Sequence, residues 1–252
     1  MMKLLIPVFV SLMMLVVSCT KEDLVWNLPR TNTVDSLQNQ NPLNPDLPVA
    51  RFSSSDTSVP IGSSINFLST SLGNPTSYLW TFDGGVPSNT NQGSASVEYN
   101  AIGKYDVSLK VSNQFGSDSI LKTSFIEAFY LKSFGNNSWD GWSNSGWSFT
   151  SSLTCPGCIY AWESAPTPST NTISKLFNNV PVGAKLEFYY YVYSPSGILK
   201  AKVNGVEVWS TSQYGSNLVS IPLPSLSSFN LSFEATVGNA QTVYLNDIKI
   251  RP

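Results

Sequence analysis

The chain contains no histidine. That removes the commonest general base, the usual partner of a nucleophilic side chain and the commonest metal ligand. Cysteine is nearly as scarce, with only Cys19, Cys155 and Cys158. A zinc centre needs about four ligands, and three thiols without histidine fall short of it. Charge is sparse too: 12% of the 252 residues are charged and the net charge is −2. The basic footprint of a nucleic-acid binder is therefore missing. The apolar run at residues 4–17 is too short to span a bilayer as a stable helix. What the chain does have is 42% hydrophobic residues, 16 Gly and 16 Pro, with frequent Ser, Thr and Asn. That length and composition suit two β-rich domains with cores of their own.

The N-terminus reads as an address. Met1-Met2-Lys3 gives a short positive start, and residues 4–17 have signal-peptide length. Val16-Val17-Ser18-Cys19 resembles a bacterial lipobox, which implies cleavage before Cys19 and acylation of its thiol and amine. A plain signal peptide with an incidental Cys19 is the other reading. Lys21-Glu22-Asp23 resembles the export signal of surface lipoproteins in Bacteroidota-type bacteria. Residues 24–48 then mix Pro, Asn and Gln without an apolar period, as a linker does. Extended at ~3.3 Å per residue, that linker reaches on the order of 80 Å.

Residues 49–128 carry short apolar-alternating segments at 50–53, 64–69, 77–82, 96–99, 104–112 and 120–127, the spacing of an antiparallel sandwich. Tyr78-Leu79-Trp80-Thr81-Phe82-Asp83-Gly84-Gly85, Val97-Glu98-Tyr99 and the run Gly103 to Asn113 resemble a PKD domain, an Ig-like module of surface proteins. The resemblance implies a spacer or adhesion role, a core Trp80 and a corner Tyr105. Asp83-Gly84-Gly85 departs from the family's usual Gly-Asp-Gly.

Residues 129–252 differ in texture. Trp139, Trp142 and Trp147 sit among Gly, Asn and Ser; they read either as a ligand-facing loop or as plugs at the end of a core. A strand opened by an aromatic, the run Pro181 to Phe188 and the closing Tyr244-Leu245-Asn246-Asp247-Ile248 resemble jelly-roll modules of carbohydrate-binding and adhesin proteins. Such modules often bind a structural calcium near the last strand. Asp247 matches, but the partner acid is missing, so no metal is expected.

The stretch from Leu186 to Ser210 is the candidate site. Alternation puts Phe188, Tyr190, Val192, Leu199, Ala201, Val203, Val206 and Val208 on a core face. Tyr189, Tyr191, Tyr193, Lys200, Lys202, Glu207 and Trp209 fall on the other. Two turns, Ser194-Pro195-Ser196-Gly197 and Asn204-Gly205, predict three adjacent strands. Tyr191, Lys200 and Trp209 then share one row, and Tyr189, Lys202 and Glu207 the next. Rings beside hydrogen-bonding charges suit a sugar; the plainer reading is that Tyr and Trp favour strands anyway.

Cys155-Pro156-Gly157-Cys158 specifies a turn that brings its ends within disulfide range, and reads as a structural staple in an oxidising compartment. The second domain's carboxylates, Asp140, Glu163, Glu187, Glu207, Glu234 and Asp247, form no recognisable pair of the kind glycosidases use.

These readings predict an all-β chain with two antiparallel sandwiches. The expected segments are a signal peptide at 1–18, a lipid-anchored linker at 19–47, a PKD-like domain at 48–128 and a jelly-roll-like binding domain at 129–252. The protein is expected on the outer membrane, lipid-anchored and facing outward. A polysaccharide or glycan is the expected partner, a surface protein the alternative. No cofactor, metal, nucleic acid or catalysis is expected.

Overall fold

The computed structural model describes residues 47–150, 158–163, 168–193, 197–238 and 241–252. The expected signal peptide, Cys19, all of the expected linker but Leu47, and Cys155 lie outside these residues.

Alternation of apolar and polar side chains builds the first sandwich. Its strands are β1 (Phe52–Ser54), β2 (Ser58–Pro60), β3 (Ser63–Ser69), β4 (Ser77–Phe82), β5 (Gly85–Val86), β6 (Asn89–Thr90), β7 (Ser94–Tyr99), β8 (Gly103–Asn113) and β9 (Gly116–Lys132). One sheet has the order β1-β3-β7-β5; the other runs β9-β8-β4-β6, with β2 parallel to β9. Val107, Leu109 and Val111 on β8 are buried between exposed or half-buried neighbours. Trp80 is fully buried, stacks on Phe82 at 5.5 Å and donates Nε1–H to the Gln92 carbonyl at 2.9 Å. Tyr105 donates its hydroxyl to the Ala101 carbonyl at 2.8 Å, the expected tyrosine corner. The unusual Asp83-Gly84-Gly85 turn has a physical reason. Gly84 has φ +61°, and a Cβ there would lie 2.2 Å from the Tyr105 ring.

The second sandwich is built from β10 (Ser143–Ser145), β11 (Trp147–Phe149), β12 (Ile159–Glu163), β13 (Ser169–Phe177), β14 (Lys185–Val192), β15 (Ile198–Val203), β16 (Val206–Thr211), β17 (Gly215–Pro222), β18 (Phe229–Val237) and β19 (Gln241–Arg251). One sheet is β10-β13-β18-β15-β16. In the other, β11 pairs with β12, β12 with β19, β19 with β14, and β14 with β17. From β12 onward the chain crosses between sheets at each connection except the β15–β16 hairpin. Both sheets turn their apolar faces inward, onto a core that includes Phe134, Phe188, Phe229, Phe233, Leu245 and Ile250. The described residues are thus all-β, in two antiparallel sandwiches.

The two cores are separate, yet no linker divides the sandwiches. The sequence Ile126-Glu127-Ala128-Phe129-Tyr130-Leu131-Lys132 contains no turn residue, and β9 runs straight through residue 128. Its first part pairs with β8, and Tyr130, Leu131 and Lys132 pair with β19. Arg251 pins this junction. It bonds Glu127 at 2.5 Å and Glu187 at 3.1 Å, and its guanidinium lies 4.4 Å from the Phe129 ring centre.

Candidate functional site

The phase of the tyrosine strand is as the sequence predicts. On β14, Leu186, Phe188, Tyr190 and Val192 are buried; Tyr189 is exposed and Tyr191 half-buried. Leu199, Ala201 and Val203 on β15 are buried as well. The expected neighbours are not observed. β14 pairs with β17 and β19, whereas β15 pairs with β16 and β18. Tyr189, Tyr191 and Tyr193 therefore belong to one sheet, and Lys200, Lys202 and Glu207 to the opposite one. The predicted platform of three adjacent strands does not form. Two strands with apolar inner faces bury them equally well side by side or facing each other across a core, and here they face. Phe188 meets Phe233 of the opposite sheet at 4.9 Å.

The Asn204-Gly205 hairpin forms as expected, with φ +50° and +80°. Lys202 lies opposite Glu207, as predicted, but Ala201 then lies opposite Trp209, so Val208 is an inserted bulge residue. One extra residue reverses every side chain beyond it. Trp209 consequently turns inward, 5.0 Å from Phe188 and 5.1 Å from Tyr190. Val206, predicted in the core, is 68% exposed. Charges on this sheet's outer surface are paired: Lys200 with Glu207 at 2.9 Å and Lys202 with Glu234 at 2.5 Å. Lys202 thus bonds Glu234 of the neighbouring strand rather than Glu207, the residue opposite it on β16.

The tyrosine side of the prediction gains partners that sequence reasoning missed. Tyr244 of β19 pairs with Tyr191 of β14 on one side and with Tyr160 of β12 on the other. The ring centres are 6.1 and 6.0 Å apart. Tyr193 lies 5.8 Å from Tyr191, and Tyr214, just before β17, lies 6.3 Å from Tyr191 and 6.4 Å from Tyr193. Five tyrosines thus form one continuous strip across the outer face, successive rings tilted by 38° to 60°. Tyr193 and Tyr214 are more than 60% exposed. None of the five belongs to the buried core. The next row holds Tyr189 with Asn246 and Leu218 beside it. The strip's electrostatics are neutral. Among the described residues, the strand partners of Tyr189, Tyr191 and Tyr244 are Asn, Leu, Ser and Tyr. The Tyr191 hydroxyl is pushed up to about 12, first by hydrogen bonding with Tyr214 and then by desolvation and the neighbouring tyrosines. Tyr191, at the centre of the strip, therefore stays protonated well past neutral pH.

Other sequence candidates have structural duties. Trp142 and Trp147 are buried and plug the core, and Trp139 packs on Phe149 at 4.4 Å. Their loop is tied by buried Lys132, which donates to the Ser138 carbonyl and to Asp140, each at 2.6 Å. Lys132 and the Ser138 hydroxyl hold the Asp140 carboxyl down at about 2. Glu187, Glu207 and Glu234 are ion-paired. Asp247 has φ +49°, where β19 shifts register against β14. Among the described residues no cluster of three or more acidic, cysteine or histidine side chains could hold a metal ion. Cys158 is disulfide-bonded.

A PKD domain family model matches residues 50–124. No curated protein matches the chain. Among solved structures, a carbohydrate-binding module of the β-sandwich superfamily is similar at 16% identity and TM-score 0.40, over 81% of this chain and 98% of its own. A carbohydrate-binding module in complex with β-1,4-galactotriose is similar at 11% identity and TM-score 0.36, over 48% and 94%. A cleaved adhesin domain of Lys-gingipain from Porphyromonas gingivalis is similar at 14% identity and TM-score 0.40, over 48% and 96%.

Proposed function

We propose that this chain is a lipid-anchored surface protein that binds a neutral glycan on the outer tyrosine face of its C-terminal sandwich. One observation carries the reading: five tyrosines in unbroken ring contact, outside the core, with no charge in their strand rows. Burial explains the rings of Trp80 or Phe188, but it does not explain these. Pyranose C–H faces stack on aromatic rings, and phenol hydroxyls donate to and accept from sugar hydroxyls. Steps of about 6 Å between rings suit successive sugars of an extended chain. The role is binding, with no catalytic step assigned.

The rest of the chain serves display. The lipobox-like Val16-Val17-Ser18-Cys19 and the Lys21-Glu22-Asp23 segment support an anchor at Cys19 and export to the outer surface of the outer membrane. Residues 19–47 act as tether and the PKD-like sandwich as spacer. Cys155 is the proposed partner of Cys158, closing a short structural staple.

Leu218, 63% exposed in the row beside Tyr189, favours a second reading. Tyrosines around an exposed leucine also suit an adhesive contact with a surface protein. Affinity electrophoresis of the purified chain through a panel of neutral polysaccharides separates the two. Retardation by at least one polysaccharide, lost on Tyr244→Ala, supports glycan binding. No retardation by any of them, with capture of a cell-surface protein that Tyr244→Ala abolishes, supports adhesion.

A further inference from the structure

The edge of the second sandwich holds a cleft that the outer tyrosine face does not use. It measures about 620 Å³ and is lined by Tyr190, Trp209 and Val219 together with Lys200, Gln213 and Asn217. Small-molecule sites commonly have this size.

Two features make it more than a gap between sheets. The first is a break in pattern. On β17 the inward positions are Asn217, Val219 and Ile221, opposite Tyr190, Phe188 and Leu186 of β14. A sandwich interior wants apolar groups at all three. Asn217 is a carboxamide and is exposed, so the core stops short and the inner face opens to solvent at this corner. The second is the bulge at Val208, which swings Trp209 into the same corner. Trp209 and Tyr190 meet there at 57°, their ring centres 5.1 Å apart. They form an angled corner rather than a flat strip.

We propose that this cleft is a second glycan site, which takes the terminal pyranose of a neutral oligosaccharide. An angled pair of rings seats one sugar with its C–H face on Trp209, and the ring wall blocks a chain from running through. Gln213 and Asn217 each supply two N–H donors and a carbonyl acceptor, as sugar hydroxyls require. The Lys200 charge at the rim is already matched by Glu207 at 2.9 Å, which favours a neutral ligand over an acidic one. The site does not depend on the outer face. Tyr190 and Tyr191 are consecutive on one strand, so the cleft and the tyrosine strip lie on opposite sides of β14.

The test is isothermal titration calorimetry of the full chain with neutral oligosaccharides of three to six units, beside retention on the polysaccharide of the same linkage. The variants are Asn217→Ala and Gln213→Ala, both at exposed positions, with Tyr191→Ala as the outer-face control. Each cleft variant is expected to weaken oligosaccharide binding by about three- to ten-fold, the loss of one or two hydrogen bonds. Polysaccharide retention should stay unchanged, and in the Tyr191→Ala background affinity per molecule should be the same for three units as for six. Tyr191→Ala should show the converse. Failure of every oligosaccharide to bind, or binding indifferent to Asn217→Ala and Gln213→Ala, would overturn the cleft site even if the outer face still bound polymer. Affinity that grows with each added unit in the Tyr191→Ala background, where the outer strip is disabled, would overturn recognition of the chain end.

Discussion

Trp209→Ala discriminates between the bulged strand and the regular strand that the sequence predicts. Trp209 is half-buried against Phe188 at 5.0 Å and Tyr190 at 5.1 Å. Truncating a fully buried aromatic to Ala costs about 3–5 kcal/mol. Each aromatic pair contributes about 0.5–1.5 kcal/mol beyond area burial. For a half-buried ring with two such partners, a loss of about 2–3 kcal/mol is expected. At about 2–4 °C per kcal/mol for a chain of this size, the melting temperature of the second sandwich should fall by about 4–12 °C. Without the bulge, Trp209 would stand on the solvent face, and its removal would stay within about 0.5 kcal/mol. Thermal unfolding followed by circular dichroism reads the difference. A shift under about 2 °C would refute the inward placement of Trp209 and the register of β15 with β16.

Cys19→Ala should leave the chain uncleaved or released from the membrane, and mass spectrometry of the wild type should find an acylated Cys19; an unmodified N-terminus elsewhere would end the anchor proposal. Arg251→Ala strands Glu127 and Glu187 at the junction and should cost about 1.5–3 kcal/mol, the usual scale for bonds to charged groups. Arg251→Lys should recover little of it in a thermal melt, because one ammonium lacks the fork that reaches both carboxylates. Asp140 has a depressed carboxyl, about 2 against an ordinary 3.8. Its contribution to stability is complete above about pH 4 and is lost as pH falls towards 2, so Asp140→Asn should flatten melting temperature against pH within that window.

Strand phase was legible in the sequence because it needs only alternation. Phe188, Tyr190, Leu199 and Ala201 went to the core for that reason, and Asn204-Gly205 gave its hairpin because both positions need positive φ. Strand neighbours were not legible. The alternation that marks β14 as half-buried says nothing of whether β15 lies beside it or across the core, and reading Ser194-Pro195-Ser196-Gly197 as a hairpin turn puts the lysines in the tyrosines' sheet. The bulge carried no signal either, since Val208 is as suited to a regular strand as to an inserted position. Tyr244 could have been placed outward from Val243 and Leu245 on either side of it. That it stands between Tyr160 and Tyr191 depends on bringing the last strand back beside two distant ones. The first sandwich was easier, because Trp80 and the Tyr105 corner are tied to local sequence through Gln92 and Ala101.

The central claim is that the tyrosine strip holds a glycan. It is tested most directly by comparing the wild-type chain with the double variant Tyr191→Ala/Tyr244→Ala, by isothermal titration calorimetry against a polysaccharide that retards the wild type. Each ring removed should weaken binding by about 1–2 kcal/mol, by analogy with aromatic pairs in proteins, so the pair should lose about 30- to 1000-fold in affinity. Neither ring is in the core, and melting should shift by only a few degrees. Unchanged affinity in a folded double variant would contradict the account.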